Sequence, residues 1–331
     1  MRIALDAFGS DNAPSPEVEG AILAIKEDIC EQIVLVGNKT RIKELLDKYY
    51  YNKNRILIEH ASEVINMNDN PASSIKKKKD SSLIKALQLY KEGKADGVVS
   101  AGNTGAVMTA SLLTYGRIKK ILRPALAIPF PTLSNPEIIL DVGANVDCTP
   151  DHLIQFALLG SLYSKYFFNT PKPKVALLNI GEESIKGNEL VRKVYSELTK
   201  HNDIHFIGNI EGKDLLKGIA DVVVCDGFVG NVMLKTVEGV ALAIFDMMKE
   251  QIRKDWVAKI GALLSFPVYK YLKKKLDHTE YGGALLIGLN GITVISHGRA
   301  NSVAIKNALK VAVKIAKSGF VSHTQAYFEG I

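Results

Sequence analysis

Short runs of isoleucine, valine and leucine alternate along this chain with longer stretches in which apolar residues recur every three or four positions. The short runs are Ile3–Leu5, Ile33–Val36, Ile56–Ile58, Val98–Ser100, Ile138–Val142, Val175–Ile180, Val222–Cys225 and Ile292–Ile295. Continuous apolar runs of this length read as strands buried on both faces, and the helical period between them as the helices that cover them. The pattern predicts a three-layer α/β/α fold around a mostly parallel sheet, built as one unit over residues 1–331 from two α/β lobes.

VVSAGNTGAVMTA, residues 98–110, passes from strand to helix through Gly-Asn-Thr-Gly, with helical spacing expected over 106–118. Similar polar, glycine-bearing turns follow the other runs: AFGSDNAP, VGANVDCTP, IGEESIKGN, CDGFVGN and SHGRAN. Parallel sheets gather ligands at the carboxyl ends of their strands, so six such turns are expected on one rim, with helix amino termini offering N–H groups to an anion. Ser15-Pro16-Glu17 and Thr149-Pro150-Asp151 read as helix starts with a hydroxyl cap and an early proline. An internal echo also stands out. ADGVVSAGNTGAVM (95–108) and ADVVVCDGFVGNVM (220–233) align without a gap, so the same strand–turn–helix unit is expected once in each half.

Composition removes several classes. With 331 residues, 47% of them apolar, the chain can bury a full core. Its three cysteines (Cys30, Cys148, Cys225) lie far apart with no CxxC, which points to neither a disulfide framework nor a zinc site and fits a reducing cytoplasm. Asp6 interrupts the amino terminus before a signal peptide could form, and no apolar run reaches the ~20 residues that span a bilayer. The expectation is a protein neither secreted nor transmembrane. The formal charge of +7 favours acidic partners. The lysine run in SSIKKKKDSS (73–82) has no interleaved aromatics and reads as a solvated loop, so no nucleic-acid partner is expected. GxG, GxxxxGK[ST], GxSxG and HExxH are all absent, which removes support for dinucleotide, P-loop, serine-hydrolase and zincin readings. His201 and His205, four apart, lead into a strand-like HFIG and read as surface or turn residues.

Each candidate residue has a plain structural role as well as a chemical one. Asn103, Thr104 and Gly105 make a tight capped turn, or an anion or carbonyl-oxygen site if several such turns converge. Asp226, Gly227 and Gly230 read as a helix start, and Asn231 as a neutral amide able to hold a developing oxyanion. Lys186, on a polar loop after a strand, is the best cationic candidate. His297 suits proton transfer or hydrogen bonding, Arg299 suits clamping an anion, and Asp141, Asn145 and Asp147 suit loop hydrogen bonds. Cys225 reads as buried filler. Residues 252–276 carry Trp256, Ile260, Leu263, Leu264 and Phe266 among Arg253, Lys254, Lys259, Lys270 and Lys273 to Lys275. Such a segment fits a membrane interface, a second subunit, or both, with Pro267 expected to break or bend it.

DAFGSDNAP, SAGNTGA, RPALA, DVGAN, NIGEESIKGNEL, FIGNIEGKDLL, DGFVGN, EYGGALLIG and SHGRAN, in this order, resemble the bacterial phosphate acyltransferase (PlsX) family of phospholipid synthesis over nearly the whole chain. Where the family opens close to D-A-M-G-G-D-x-A-P, this chain has Phe8 and Ser10, a change expected to bear on pocket shape rather than reaction class. The resemblance implies transfer of a fatty acyl group from acyl-[acyl carrier protein] to inorganic phosphate, and a fold related to phosphotransacetylases and isopropylmalate dehydrogenases. It further implies a homodimer, no organic cofactor, peripheral association with the inner face of the cell membrane, and delivery of acyl phosphate to a membrane-bound glycerol-3-phosphate acyltransferase. Within it, Lys186 is expected to orient phosphate and Asn231 to donate to the oxyanion. Asp6, Gly9, Asn103, Thr104, Gly105, Asn145, Asp226, Gly227, Gly230, His297 and Arg299 are expected around the substrates. The rival readings are a coenzyme A-dependent short-chain phosphotransacylase, a metal- and NAD-dependent decarboxylating dehydrogenase of related fold, and a non-catalytic membrane-docked adaptor for acyl carrier protein.

Overall fold

The structure is a computed structural model that describes residues 1–276 and 282–330; for Lys273, Lys274 and Leu276 it describes the backbone alone. The Glu280–Tyr281 part of the EYGGALLIG motif lies outside the described residues. Among those residues, eleven strands form one sheet in the order β3 (Ile56–His60), β2 (Gln32–Gly37), β1 (Arg2–Asp6), β4 (Gly97–Ser100), β11 (Thr293–Ile295), β10 (Ala284–Ile287), β5 (Ala125–Phe130), β6 (Glu137–Leu140), β9 (Val222–Val224), β7 (Lys174–Asn179), β8 (His205–Glu211).

Strands β3, β2, β1, β4 and β11 are mutually parallel, as are β6, β9, β7 and β8. Between the two sets, β10 runs antiparallel to both β11 and β5, and β5 antiparallel to β6. Three reversals leave the two lobes pointing in opposite directions. The six glycine-bearing turns therefore do not share one rim: those after β1, β4 and β11 lie at one edge of the sheet, and those after β6, β7 and β9 at the other. The sequence pattern misses β5 and β10, the two strands that cause the reversal; ALAIPF carries a proline, and ALLI runs between glycines in GGALLIG.

One face of the sheet is covered by α1 (Ser15–Lys26), α2 (Lys39–Leu46), α6 (Pro150–Phe167), α7 (Glu189–Lys200), α11 (Ser302–Ser318) and α12 (Phe320–Gly330), around Ile3, Leu5, Leu140, Phe156 and Tyr163. The other is covered by α3 (Pro71–Lys77), α4 (Ser82–Lys91), α5 (Thr104–Tyr115) and the start of α8 (Gly227–Lys254), around Val98, Val107, Ile139 and Val223. Three local expectations shift. The helix expected to reach Ile118 ends at Tyr115, because Gly116 takes a left-handed φ of 71°. Pro14, not a hydroxyl, precedes α1, and Ser15 lies inside it. Part of the expected lysine loop is α3, capped by Asn70 and anchored by buried Ser74 and Ile75.

The internal echo has a structural counterpart. The Asp96 carboxylate accepts from the Arg2 amide at the start of β1, and the Asp221 carboxylate from the Lys174 amide at the start of β7. Each aspartate thus pins the neighbouring strand in its own lobe. Beyond its first turns α8 runs into solvent, then α9 (Trp256–Leu264) starts on the Asp255 cap and α10 (Phe266–Leu276) on Phe266, which puts Pro267 in a first turn where no N–H is required. Trp256, Ile260, Leu263, Leu264 and Phe266 are all more than half exposed.

Two glutamates are fully buried without the partners such groups need. Burial pushes Glu17 up to about 7, against the pull of Ser10. Burial and then the charge of Asp221 push Glu137 up to about 8, and neither of its carboxylate oxygens has a hydrogen-bond partner. A carboxyl raised in the folded state binds more protons than the unfolded chain between the two pKa values, so its contribution to stability is present at low pH and lost as pH rises through the folded value. Glu137→Gln is accordingly expected to be more stable than the parent at pH 8 and to flatten the fall of Tm between pH 5 and pH 8, measured by thermal denaturation.

Candidate functional site

A cavity of about 470 Å³ lies on the face of the sheet between α5 and α8. Its floor is apolar and spans both lobes: Ile295 of β11, Ala284 of β10, Leu126 and Ile128 of β5, and Val142 just past β6. Thr104, Gly105, Met108 and Thr109 of α5 form one wall. Asn231, Leu234, Lys235 and Glu238 of α8 form the other, and Ser296 and His297 close the end. A trough with an apolar floor and a few polar groups at its rim has the ordinary form of a small-molecule site.

The candidate residues divide by location. Thr104, Gly105, Asn231 and His297 line the cavity. Asn231 crosses to Gly143, where a side chain would meet its Nδ2 atom at 2.7 Å; Gly143 also has φ 133°, so only glycine lets the amide sit there. The Arg299 amide donates to Nδ1 of His297 at 3.1 Å, which leaves Nε2 as the protonated nitrogen of the neutral ring. Asn103 caps α5 through the Ala106 amide and donates its Nδ2 to the Met67 carbonyl at 2.6 Å, so it holds the turn rather than a ligand.

Asp6 and Gly9 lie beneath this turn. Buried Asp6 accepts from the Ser100 hydroxyl at 2.7 Å and the Phe8 amide, and burial raises its pKa. A side chain at Gly9 would collide with the Gly102 amide at 2.7 Å. Both residues set the height of GNTG without entering the cavity. The departures at Phe8 and Ser10 also stay outside it, since Phe8 packs on Gly37 under the Arg41 guanidinium and Ser10 faces Glu17.

In the second lobe the Asp141 carboxylate accepts from the amides of Leu126, Gly143, Ala144 and Asn145 and from Nδ2 of Asn145, which also donates to the Pro124 carbonyl. Burial raises Asp141 while these donors pull the other way. The Gly227 amide donates to the Asn145 carbonyl, and at Gly230 a side chain would strike the Asp141 carbonyl. Asp226 accepts from the Val229 amide. Asn145, Gly227 and Gly230 therefore dock the α8 start onto this loop, and the Asp226 carboxylate already occupies the helix amino terminus that an anion would otherwise use.

Lys186 does not line the cavity. It lies on the exposed loop between β7 and α7, its stem over Gly181, while the adjacent Gly187 borders a smaller cavity of about 300 Å³ with Asn179, Asp226 and Val229. Arg299 is also outside, its Nε 4.0 Å from Asp11, and both side chains are open to solvent. The lysine inside is Lys235, paired with Glu238 at 2.7 Å. Sequence reasoning passed over this pair, although both follow Asn231 at i+4 and i+7 and so share its helix face. Burial raises Cys225 far above the ordinary thiol range and Cys148 to about 11, so neither is a ready thiolate. Among the described residues no group of three or more His, Cys, Asp or Glu side chains gathers to hold a metal.

Residues 1–323 match the family described as "Fatty acid synthesis protein". The chain is 55% identical over 319 residues to a phosphate acyltransferase of Dictyoglomus turgidum, covering 96% of this chain and 94% of that protein. Among solved structures it is similar in fold to a phosphotransacetylase from Streptococcus pyogenes, with a TM-score of 0.63 at 16% identity over 96% of this chain and 94% of that one. It is also similar to a putative 4-hydroxythreonine-4-phosphate dehydrogenase from Salmonella typhimurium, with a TM-score of 0.54 at 12% identity over 95% and 99% of the two chains. Both share its three-layer α/β architecture. The match over residues 1–323 and the 55% identity across 96% of the chain make it a member of the phosphate acyltransferase family.

Proposed function

We propose that this acyltransferase moves a fatty acyl group from acyl-[acyl carrier protein] to inorganic phosphate and so forms acyl phosphate for phospholipid synthesis. The observation that carries the reading is the apolar floor of the cavity, running across both lobes beneath Thr104, Asn231 and His297. A phosphate oxygen attacks the thioester carbonyl, the tetrahedral oxyanion collapses, and the carbon–sulfur bond breaks to release the carrier thiolate. Phosphate is itself a competent nucleophile, so the site needs to hold it against the carbonyl and stabilise the oxyanion. Asn231 supplies the amide donor, and Nε2–H of His297 donates a hydrogen bond to the charge developing on the departing sulfur, which leaves as thiolate.

Lys186 remains the proposed cation for phosphate, delivered on a flexible four-carbon stem from the far side of the α8 start. Its competitor is Lys235, already in the cavity. The acidic carrier is drawn by the net charge of +7. A second copy of the chain and the membrane surface are the proposed cover for the exposed apolar residues of α8 to α10. No uninterrupted apolar run reaches the length of a bilayer span, but α8 taken as a whole helix is long and apolar enough, by length and composition alone, to cross a membrane. Release of an amphipathic product beside the bilayer would hand it directly to a membrane-bound glycerol-3-phosphate acyltransferase.

Purified protein given acyl-loaded carrier is expected to form acyl hydroxamate on hydroxylamine trapping only when phosphate is present; a stronger signal from short-chain acyl-coenzyme A would favour the phosphotransacylase reading, and binding without product the adaptor. Asn231→Ala is expected to lower kcat about 10²-fold with little change in the KM for phosphate. Lys186→Ala is expected to raise that KM at least ~10-fold; if Lys235→Ala does so instead, the cationic role belongs to Lys235. Replacing Leu263 and Leu264, 76% and 79% exposed, by glutamate is expected to abolish sedimentation with anionic vesicles while turnover of soluble substrate persists.

A further inference from the structure

The RPALA motif contributes Arg123, for which the catalytic site described above has no use. Arg123 borders a second cavity of about 510 Å³ on the outer side of α5, together with Leu112, Arg117, Leu122 and Pro124. This cavity adjoins the main one at Met108, Thr109 and Ala144, which line both. The two form a bent cleft, with Asn231 and His297 in one arm and two arginines in the other.

The arginine-bearing rim is a fixed piece of chain. Residues 117–123, Arg-Ile-Lys-Lys-Ile-Leu-Arg, bury Ile118 and Ile121 and turn Arg117, Lys119, Lys120 and Arg123 outward. Gln155 of α6 clamps the loop from below, accepting from the Leu122 amide at 2.8 Å and donating to the Lys120 carbonyl at 2.9 Å. The Arg117 guanidinium donates to the Leu122 carbonyl. Four cations in seven residues, held by two buried anchors and a glutamine clamp, make a rigid electropositive mouth.

Spacing relates this mouth to the chemistry. α5 has twelve residues, hence a length of ~18 Å, with Thr104 of the main cavity at one end and Arg117 just beyond the other. A phosphopantetheine arm has about as many backbone bonds as four to five residues and extends ~16 Å. Its gem-dimethyl group suits Leu112, Leu122 and Pro124, an amide N–H suits the Thr109 oxygen, whose own proton goes to the Gly105 carbonyl, and its phosphodiester suits a guanidinium fork.

Resting on the acyl-transfer reading above, we propose that the side cleft is the donor's entry: the pantetheine arm lies along α5, its phosphodiester on Arg123 with Arg117, and the acidic carrier docks on Lys119 and Lys120. The thioester then enters the main cavity past Ala144, and inorganic phosphate uses a separate subsite.

The test compares acyl-carrier, acyl-phosphopantetheine and acyl-pantetheine, which lacks the phosphate, as donors. Arg123→Ala is expected to raise the KM for acyl-phosphopantetheine at least ~10-fold and to leave both the KM for acyl-pantetheine and the KM for inorganic phosphate unchanged. Arg123→Lys should recover part of the loss. Lys119→Glu with Lys120→Glu should raise the KM for acyl-carrier alone. An equal loss on donors with and without the pantetheine phosphate, or a shift in the KM for inorganic phosphate, overturns the proposal. Calorimetric titration with free phosphopantetheine needs no turnover and should show binding to the parent that Arg123→Ala weakens. If no donor gives acyl phosphate yet this binding persists, the reaction reading fails and the subsite stands; if acyl phosphate forms and the binding is absent, the reverse holds.

Discussion

Strands β10 and β5, antiparallel to their neighbours at the middle of the sheet, impose the constraint from which the site follows. With three reversals between β11 and β6, the lobes run head to tail, and a strand–turn–helix unit that leaves one edge in the first lobe leaves the opposite edge in the second. Both units nevertheless send their helices, α5 and α8, over the same face. The cavity is the space left between them, floored by the reversing strands themselves. A fully parallel sheet would have put all the glycine turns together at one rim and closed this face with packed helices.

The two sides of the cavity are held by different means. On the first lobe, Asp6, Ser100 and Gly9 fix GNTG by one buried hydroxyl–carboxylate bond and a close backbone approach. On the second, Asp141 gathers three backbone amides and one side-chain amide of the loop after β6 and ties them to the Leu126 amide of β5, and the α8 start rests on this loop through Gly227 and Gly230. Leaving either carboxyl without its donors would bury an unsatisfied polar group, which ties each loop to its anchor. Orientation of Asn231 is thereby inherited from the backbone around Gly143, not from contacts of its own making.

Much of the fold was readable because strands buried on both faces leave continuous apolar runs, and the helices that cover them leave a period of 3.6. Val98–Ser100 and Val222–Cys225 announced themselves, and the echo between them marked the two flanking units. What stayed hidden was direction. Apolar runs carry no sign, so nothing in ALAIPF or ALLI says which way the chain travels, and the shared rim inferred from six similar turns was the result. The site was legible in part for the same reason. Asn231, Thr104 and His297 stand at turn positions that any ligand-facing strand end would expose. Asp6, Asn145, Gly227 and Gly230 occur in equally conspicuous motifs, yet their conspicuousness reflects tight packing beneath the cavity. Lys235 and Glu238 sit inside a helix with no motif to mark them, and only the direction of α8 reveals which of its faces meets the trough.

The floor of the cavity has a mechanical corollary. In two-lobed enzymes joined by flexible linkers, ligands are commonly engulfed by rotation about a hinge. Here the strands under the ligand are themselves the joint, laced from one lobe to the other by an unbroken ladder of main-chain bonds. Swinging the lobes apart would mean shearing that ladder, so the halves behave as one stiff plate. Traffic in and out of the trough is left to rotations of side chains along α5 and α8, movements that are local and rapid.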